Sequence, residues 1–158
     1  KNKTLHRNFQ GYCTRRTTGQ VYALGVTAIS QLNTVYAQNT KSVDDYIKLA
    51  GKGDIPTLKG YKLDNNQIIV REVITELMCN EQVVWDEIGQ RFSKTGEEIR
   101  NTIKFDLQRL KEFETDGIIR ITDDKIKVTE EGLIFIRNVA ASFDPLLTST
   151  TKTFSKSV

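Results

Sequence analysis

The stretch Ile118-Ile119-Arg120-Ile121-Thr122-Asp123-Asp124-Lys125-Ile126-Lys127-Val128-Thr129 decides the fold. Ile119 and Ile121 alternate with Arg120 and Thr122, and Ile126 and Val128 flank Lys127 on the return, the period-two pattern of half-buried strands. Asp123 and Asp124 supply turn chemistry between them, so the stretch predicts a β-hairpin with its wing near residues 118–129. Helical signals flank it. Upstream, Thr95 with Glu98 is a capping box that opens a long helix, in which Ile99, Ile103, Leu107 and Leu110 fall at helical spacing and which Asp116-Gly117 ends. Asp86 to Phe92 reads as a shorter helix before it. Asp64 with Gln67 opens another that reaches about Cys79, with Ile68, Ile69, Val73, Leu77 and Met78 on its inner face. Downstream, Thr129 caps a final helix that runs to Phe143 before Asp144-Pro145 stops it.

Three helices, a hairpin and a helix are the outline of a winged helix-turn-helix. The first half has weaker signals. Thr4 to Cys13 reads as a short strand leading into a loop, and Thr17 to Gln20 as a turn. Val21 to Leu32 mixes Gly25, Ala28 and Ser30 with Leu24, Val26 and Ile29, which fits a buried core segment or a wall that a flat ligand lies against; the core segment is the expectation. Ser42 caps a helix from Val43 to Ala50 that stops at Gly51-Lys52-Gly53, and Leu58 to Leu63 is extended. The expected fold is α+β, mainly helical, with short strands in the N-terminal part followed by a winged-helix-like C-terminal module. The expected divisions are residues 1–62, residues 63–147 and a mobile tail over 148–158, with the boundary near Tyr61 to Asp64.

The 158 residues, 38% hydrophobic and 27% charged, exclude wholesale disorder. Cys13 and Cys79 make neither a disulfide framework nor a zinc quartet. No apolar run approaches the ~20 residues of a membrane span and no leader pattern is present, so a cytoplasmic protein with no membrane partner is expected. The start at Lys1 and a single methionine, Met78, point to a C-terminal piece of a longer protein.

Charge is uneven. Residues 1–62 carry ten Lys/Arg against three Asp/Glu, and residues 63–158 carry thirteen against seventeen. Lys1, Lys3, Arg7, Arg15 and Arg16 have no acidic neighbour within the first twenty residues, and Phe9 and Tyr12 lie among them, a composition that attracts nucleic acid or a polycarboxylate. The would-be recognition helix, Glu97 to Asp116, is different: Arg100, Lys104, Arg109 and Lys111 face six acidic residues. Duplex affinity comes largely from cations that neutralise phosphates, so this module is expected to be structural or to dock protein, with no nucleic-acid partner.

Residues with catalytic spacing are scarce. His6 is the only histidine, and Glu97-Glu98, Asp123-Asp124 and Glu130-Glu131 sit at helix starts or a turn, where the helix dipole and turn propensity explain them. No catalytic residue and no metal ligand set is assigned.

Three runs carry a resemblance: His6-Arg7-Asn8-Phe9-Gln10-Gly11-Tyr12, Leu24-Gly25-Val26-Thr27-Ala28-Ile29-Ser30 and Tyr36-Ala37-Gln38-Asn39. It continues through Arg71-Glu72-Val73-Ile74, Leu77-Met78-Cys79-Asn80, Asp116-Gly117, Val128-Thr129 and Ile136-Arg137-Asn138. In these the chain resembles the C-terminal third of the oxygen-independent coproporphyrinogen III oxidases, radical S-adenosylmethionine enzymes of haem biosynthesis. The haem-chaperone branch shares the winged module but not the Arg-Asn-Phe-Gln-Gly-Tyr run.

The resemblance implies a partial barrel, a 4Fe-4S cluster on a Cys-x3-Cys-x2-Cys loop, S-adenosylmethionine as cofactor, and oxidative decarboxylation of two propionates of coproporphyrinogen III to vinyl groups, giving protoporphyrinogen IX. An electron donor is the other implied partner. The cysteine loop is absent from this sequence, so the segment alone is expected to bind no cofactor and to be inactive. Ile29 is implied as the residue beside S-adenosylmethionine. Arg7, Gln10, Tyr12, Arg15 and Arg16 are the candidates for substrate binding, since guanidinium groups match carboxylates with paired hydrogen bonds. Cys13-Thr14-Arg15-Arg16 departs from the family's pattern at that point. The alternative is a noncatalytic winged-helix domain that binds a protein or nucleic acid.

Overall fold

A computed structural model describes residues 5–8, 11–14 and 20–145. The fold is α+β, built from short antiparallel strands and α-helices, and divides into two compact units, residues 1–68 and 69–158. No helix among the described residues is long and apolar enough to cross a membrane.

In the first unit β1 (Leu5–Asn8) pairs with β2 (Gly11–Thr14). The strand expected over Thr4 to Cys13 is thus two strands of a hairpin, with Gly11 opening the second. A separate three-stranded sheet has the order β3 (Ile29–Gln31), β4 (Val35–Asn39), β5 (Thr57–Lys62), all antiparallel. Between the last two, α1 (Val43–Ala50) starts where the Ser42 hydroxyl accepts the Asp45 N–H at 3.2 Å, as the sequence predicts. None of the residues of α1 is buried. The segment expected to be core, Val21 to Leu32, is a correction: Tyr22 and Leu24 are 74% and 90% exposed, and the one residue buried there is Gln31.

α2 (Asn65–Asn80) begins with reciprocal bonds, the Gln67 N–H donating to Asp64 Oδ1 at 2.8 Å and the Asp64 N–H to Gln67 Oε1 at 3.0 Å. In the second unit Ile69, Val73 and Leu77 of this helix bury against Val83, Ile88, Ile99, Leu110, Ile119, Ile126, Val139 and Phe143. The unit continues through β6 (Gln82–Val84), α3 (Trp85–Arg91), α4 (Gly96–Thr102), α5 (Leu107–Thr115), β7 (Ile119–Ile121) and β8 (Lys125–Val128). The predicted hairpin is present, with Ile119 opposite Val128 and Ile121 opposite Ile126. It gains a third strand, since β6 pairs with the other edge of β8.

The long helix predicted from Thr95 to Asp116 is two. Its capping box forms as read, but Ile103 turns extended, and Asp106 caps α5 by accepting the Arg109 N–H at 3.0 Å. The Asp106 N–H, lost to the helix, donates instead to the carbonyl of Ser142 at 2.9 Å. The last helix is likewise divided into a 3-10 turn, Glu131–Phe135, and α6 (Ile136–Ala141). Thr129 Oγ1 accepts the Gly132 N–H at 3.0 Å and donates to the Gly117 carbonyl at 2.7 Å. Gly132 is required because a Cβ there would lie 2.0 Å from the Ile118 carbonyl oxygen. The tail expected to be mobile, 148–158, lies outside the described residues.

Candidate functional site

Ile29 opens β3, half-buried, with its backbone opposite Gln38 of β4. The chain reaches it through a closed loop. The Val21 N–H donates to the Gln31 carbonyl at 2.8 Å and the Gln31 N–H to the Val21 carbonyl at 2.9 Å, so residues 22–30 leave and return at one point.

Within that loop Gly25 and Thr27 have φ of 102° and 61°, the left-handed region. Glycine adopts it freely and a β-branched threonine rarely does. The Gly25 N–H donates to the Tyr46 hydroxyl of α1 at 2.9 Å, and Asn39 Nδ2 donates to the carbonyls of Gly25 at 2.9 Å and Ala23 at 3.4 Å. The Thr27 N–H donates to the Thr40 carbonyl at 2.8 Å, and Gln38 Nε2 donates to the Thr27 carbonyl at 3.0 Å. Ser30 Oγ accepts the Ala23 N–H at 3.0 Å. Asn39 is 5% exposed, so its carboxamide works out of water, where an unmade hydrogen bond is costly.

Arg7 and Tyr12 fall at opposite register positions of β1 and β2. Gln10, Arg15 and Arg16 lie outside the described residues. Sequence reasoning gave Asn39 only as the end of the run Tyr36-Ala37-Gln38-Asn39, with no role, and did not single out Tyr46. The available signal was a carboxamide pair, Gln38-Asn39, ending an otherwise ordinary strand.

The second unit holds a different polar cluster. Glu76, 2% exposed, accepts from Arg91 Nη1 at 2.8 Å and from Asn80 Nδ2, and Glu72 also binds the same guanidinium. Partial burial opposes the charge on Arg91, but the hydrogen bond and charge of Glu76, followed by those of Glu72, outweigh it and raise the Arg91 pKa. Glu72 and Glu76 thereby tie α2 to Arg91 of α3, which fits a structural strut.

Among the described residues no group of His, Cys, Asp or Glu is arranged to hold a metal ion, and Cys13 and Cys79 lie 66 positions apart. The residues present therefore do not fit an iron–sulfur cluster. Ile29, an apolar side chain left half-exposed, would fit an apolar contact with S-adenosylmethionine.

Residues 63–135 match the model of the HemN C-terminal domain. The chain as a whole is a relative of the oxygen-independent coproporphyrinogen III oxidases. It is 36% identical over 149 residues to that of Synechocystis sp., covering 94% of this chain and 32% of the relative. To that of Helicobacter pylori it is 32% identical over 154 residues, covering 98% and 33%. The solved structure of coproporphyrinogen III oxidase (HemN) from Escherichia coli, a radical SAM enzyme, matches with a TM-score of 0.78 at 32% identity, over 91% of this chain and 32% of that one. The chain thus spans about a third of the length of the relatives it matches.

Proposed function

We propose that this chain is a segment of a radical S-adenosylmethionine coproporphyrinogen III oxidase, the enzyme that converts two propionates of coproporphyrinogen III to vinyl groups and yields protoporphyrinogen IX. The observation that carries this reading is the match over 91% of the chain, at a TM-score of 0.78 and 32% identity, to a coproporphyrinogen III oxidase that is a radical SAM enzyme. When bound, S-adenosylmethionine and a 4Fe-4S cluster supply the radical chemistry of that class.

The residues of this chain bind and orient. Ile29 offers an apolar wall to the adenine, a contact of about 1–3 kcal/mol by burial. At least one of Arg7, Arg15 and Arg16 holds a substrate propionate, with Gln10 and Tyr12 as further donors, because a tetracarboxylate needs several cations or oriented donors. Residues 1–62 are the end of the catalytic barrel region and residues 63–147 form a winged-helix-like module, with β7 and β8 as its wing. The net negative charge of Glu97 to Asp116 favours a structural or protein-docking role over nucleic acid. With no cluster ligands of its own, the segment is inactive alone.

The test uses the full-length protein, purified without oxygen and loaded with its cluster, in the presence of S-adenosylmethionine, a reductant and coproporphyrinogen III. Protoporphyrinogen IX is the expected product, and alanine at the propionate-holding arginine raises the substrate KM roughly ten- to hundredfold without changing cluster content. Recovery of unchanged coproporphyrinogen III from protein that cleaves S-adenosylmethionine would overturn the assignment.

A further inference from the structure

Left-handed backbone at two positions out of three, one of them a threonine, persists only where the surroundings over-determine it. Here both polar atoms of Gly25 and both of Thr27 are held, the former pair by the side chains of Tyr46 and Asn39, the latter by the Thr40 carbonyl and Gln38 Nε2. Packing does not explain the turn. Leu24 beside it is 90% exposed, and α1, which carries Tyr46, buries none of its residues. A buried carboxamide therefore fixes a turn beside an apolar side chain, Leu24, that stays outside, an arrangement suited to presenting the segment to something it meets.

We propose that Asn39 and Tyr46 are positioning residues: they lock the turn from Gly25 to Thr27 so that Ile29, two residues on, meets S-adenosylmethionine already ordered. This rests on the reading of Ile29 as a contact of that cofactor. A ligand binding to a pre-set loop avoids the ordering cost that a loose loop charges against affinity. Loss of the clamp therefore shows first in cofactor affinity, through a loop that exchanges its amides faster.

The experiment compares Tyr46→Phe, Asn39→Leu, Ser42→Ala and Ile29→Ser in the full-length protein, by calorimetry of S-adenosylmethionine binding and by amide hydrogen exchange over residues 23–28. Tyr46→Phe removes one hydrogen bond and should weaken binding about three- to tenfold, Asn39→Leu removes two and should weaken it about ten- to thirtyfold, both with faster exchange across the turn. Ser42→Ala removes the cap of α1 without touching the turn; it should lower Tm and leave affinity unchanged. If Ser42→Ala weakens binding as much as Tyr46→Phe, the effect is helix stability and the proposal is overturned. If Ile29→Ser weakens binding and the clamp variants do not, the clamp is overturned while the assignment of Ile29 stands. If Ile29→Ser binds normally, that assignment falls, and this inference with it. Should Asn39→Leu fail to fold, Tyr46→Phe, at a half-exposed side chain, decides alone.

Discussion

Compare the two units by what keeps them ordered. In residues 69–143 each α-helix and each strand contributes apolar side chains to one core, in which Val73, Leu77, Val83, Ile88, Ile99, Leu110, Val139 and Phe143 are inaccessible to water, while Leu107, Leu133, Ile134 and Phe135 stay exposed. In residues 20–62 the buried side chains are polar, Gln31, Asn39 and Thr40, while Tyr22, Leu24, Val43, Ile47, Ile55 and Leu58 stand in solvent. Burial of apolar surface drives folding in the second unit; in the first, backbone pairing and carboxamide bonds fix the shape and leave apolar surface on offer.

The largest effect that bears on the contrast is a cavity. Leu77→Ala should destabilise the second unit by about 3–4 kcal/mol, because the neighbours of a fully buried leucine collapse only partly around the space left. Ile47→Ala, which removes similar volume from exposed α1, should change stability by less than about 0.5 kcal/mol. Denaturant unfolding of the two variants measures both, and equal losses would erase the distinction.

A smaller effect tests the polar strut inside the apolar unit. Arg91→Met leaves Glu76 buried without its cation; because Arg91 is itself partly exposed, the loss should be about 2 kcal/mol rather than the larger value of a fully buried pair. Denaturant unfolding of the variant measures it, and an unchanged midpoint would mean that the ion pair contributes nothing to the fold.

Much of the fold was legible where its signals are local. The alternation from Ile119 to Val128, the reciprocal caps at Thr95/Glu98 and Asp64/Gln67, and the Ser42 cap each need only neighbouring residues, and each is found where the sequence places it. What was missed is non-local. The three residues of β6 are too short for a period and become a strand only by pairing with β8. The break before α5 depends on Ser142, thirty-six positions beyond Asp106, accepting its N–H. In the candidate site, Ile29 was reached through the resemblance. The turn ahead of it was hidden, because nothing in Gly-Val-Thr announces a threonine at positive φ, and its holders Asn39 and Tyr46 lie on other elements.

A smaller effect still belongs to the capping box. Thr95→Ala should cost about 1 kcal/mol. The Thr95 backbone N–H first, then its hydroxyl, lower the Glu98 pKa from its ordinary 4.5. A lowered carboxylate pKa stabilises the fold above the unfolded value and loses that contribution as pH falls through the folded one. Alanine keeps the backbone N–H and removes the hydroxyl, so only the hydroxyl's part of the wild-type advantage should narrow below about pH 4.5 in thermal melts.

The central claim, that the first unit meets the cofactor and the second holds itself together, is tested most directly by amide hydrogen exchange of the full-length protein with and without S-adenosylmethionine. Residues 23–31 should gain protection on binding, and residues 69–143 should exchange at the same rate in both states. Unchanged exchange over 23–31, or protection appearing within the apolar core of the second unit instead, would contradict the account.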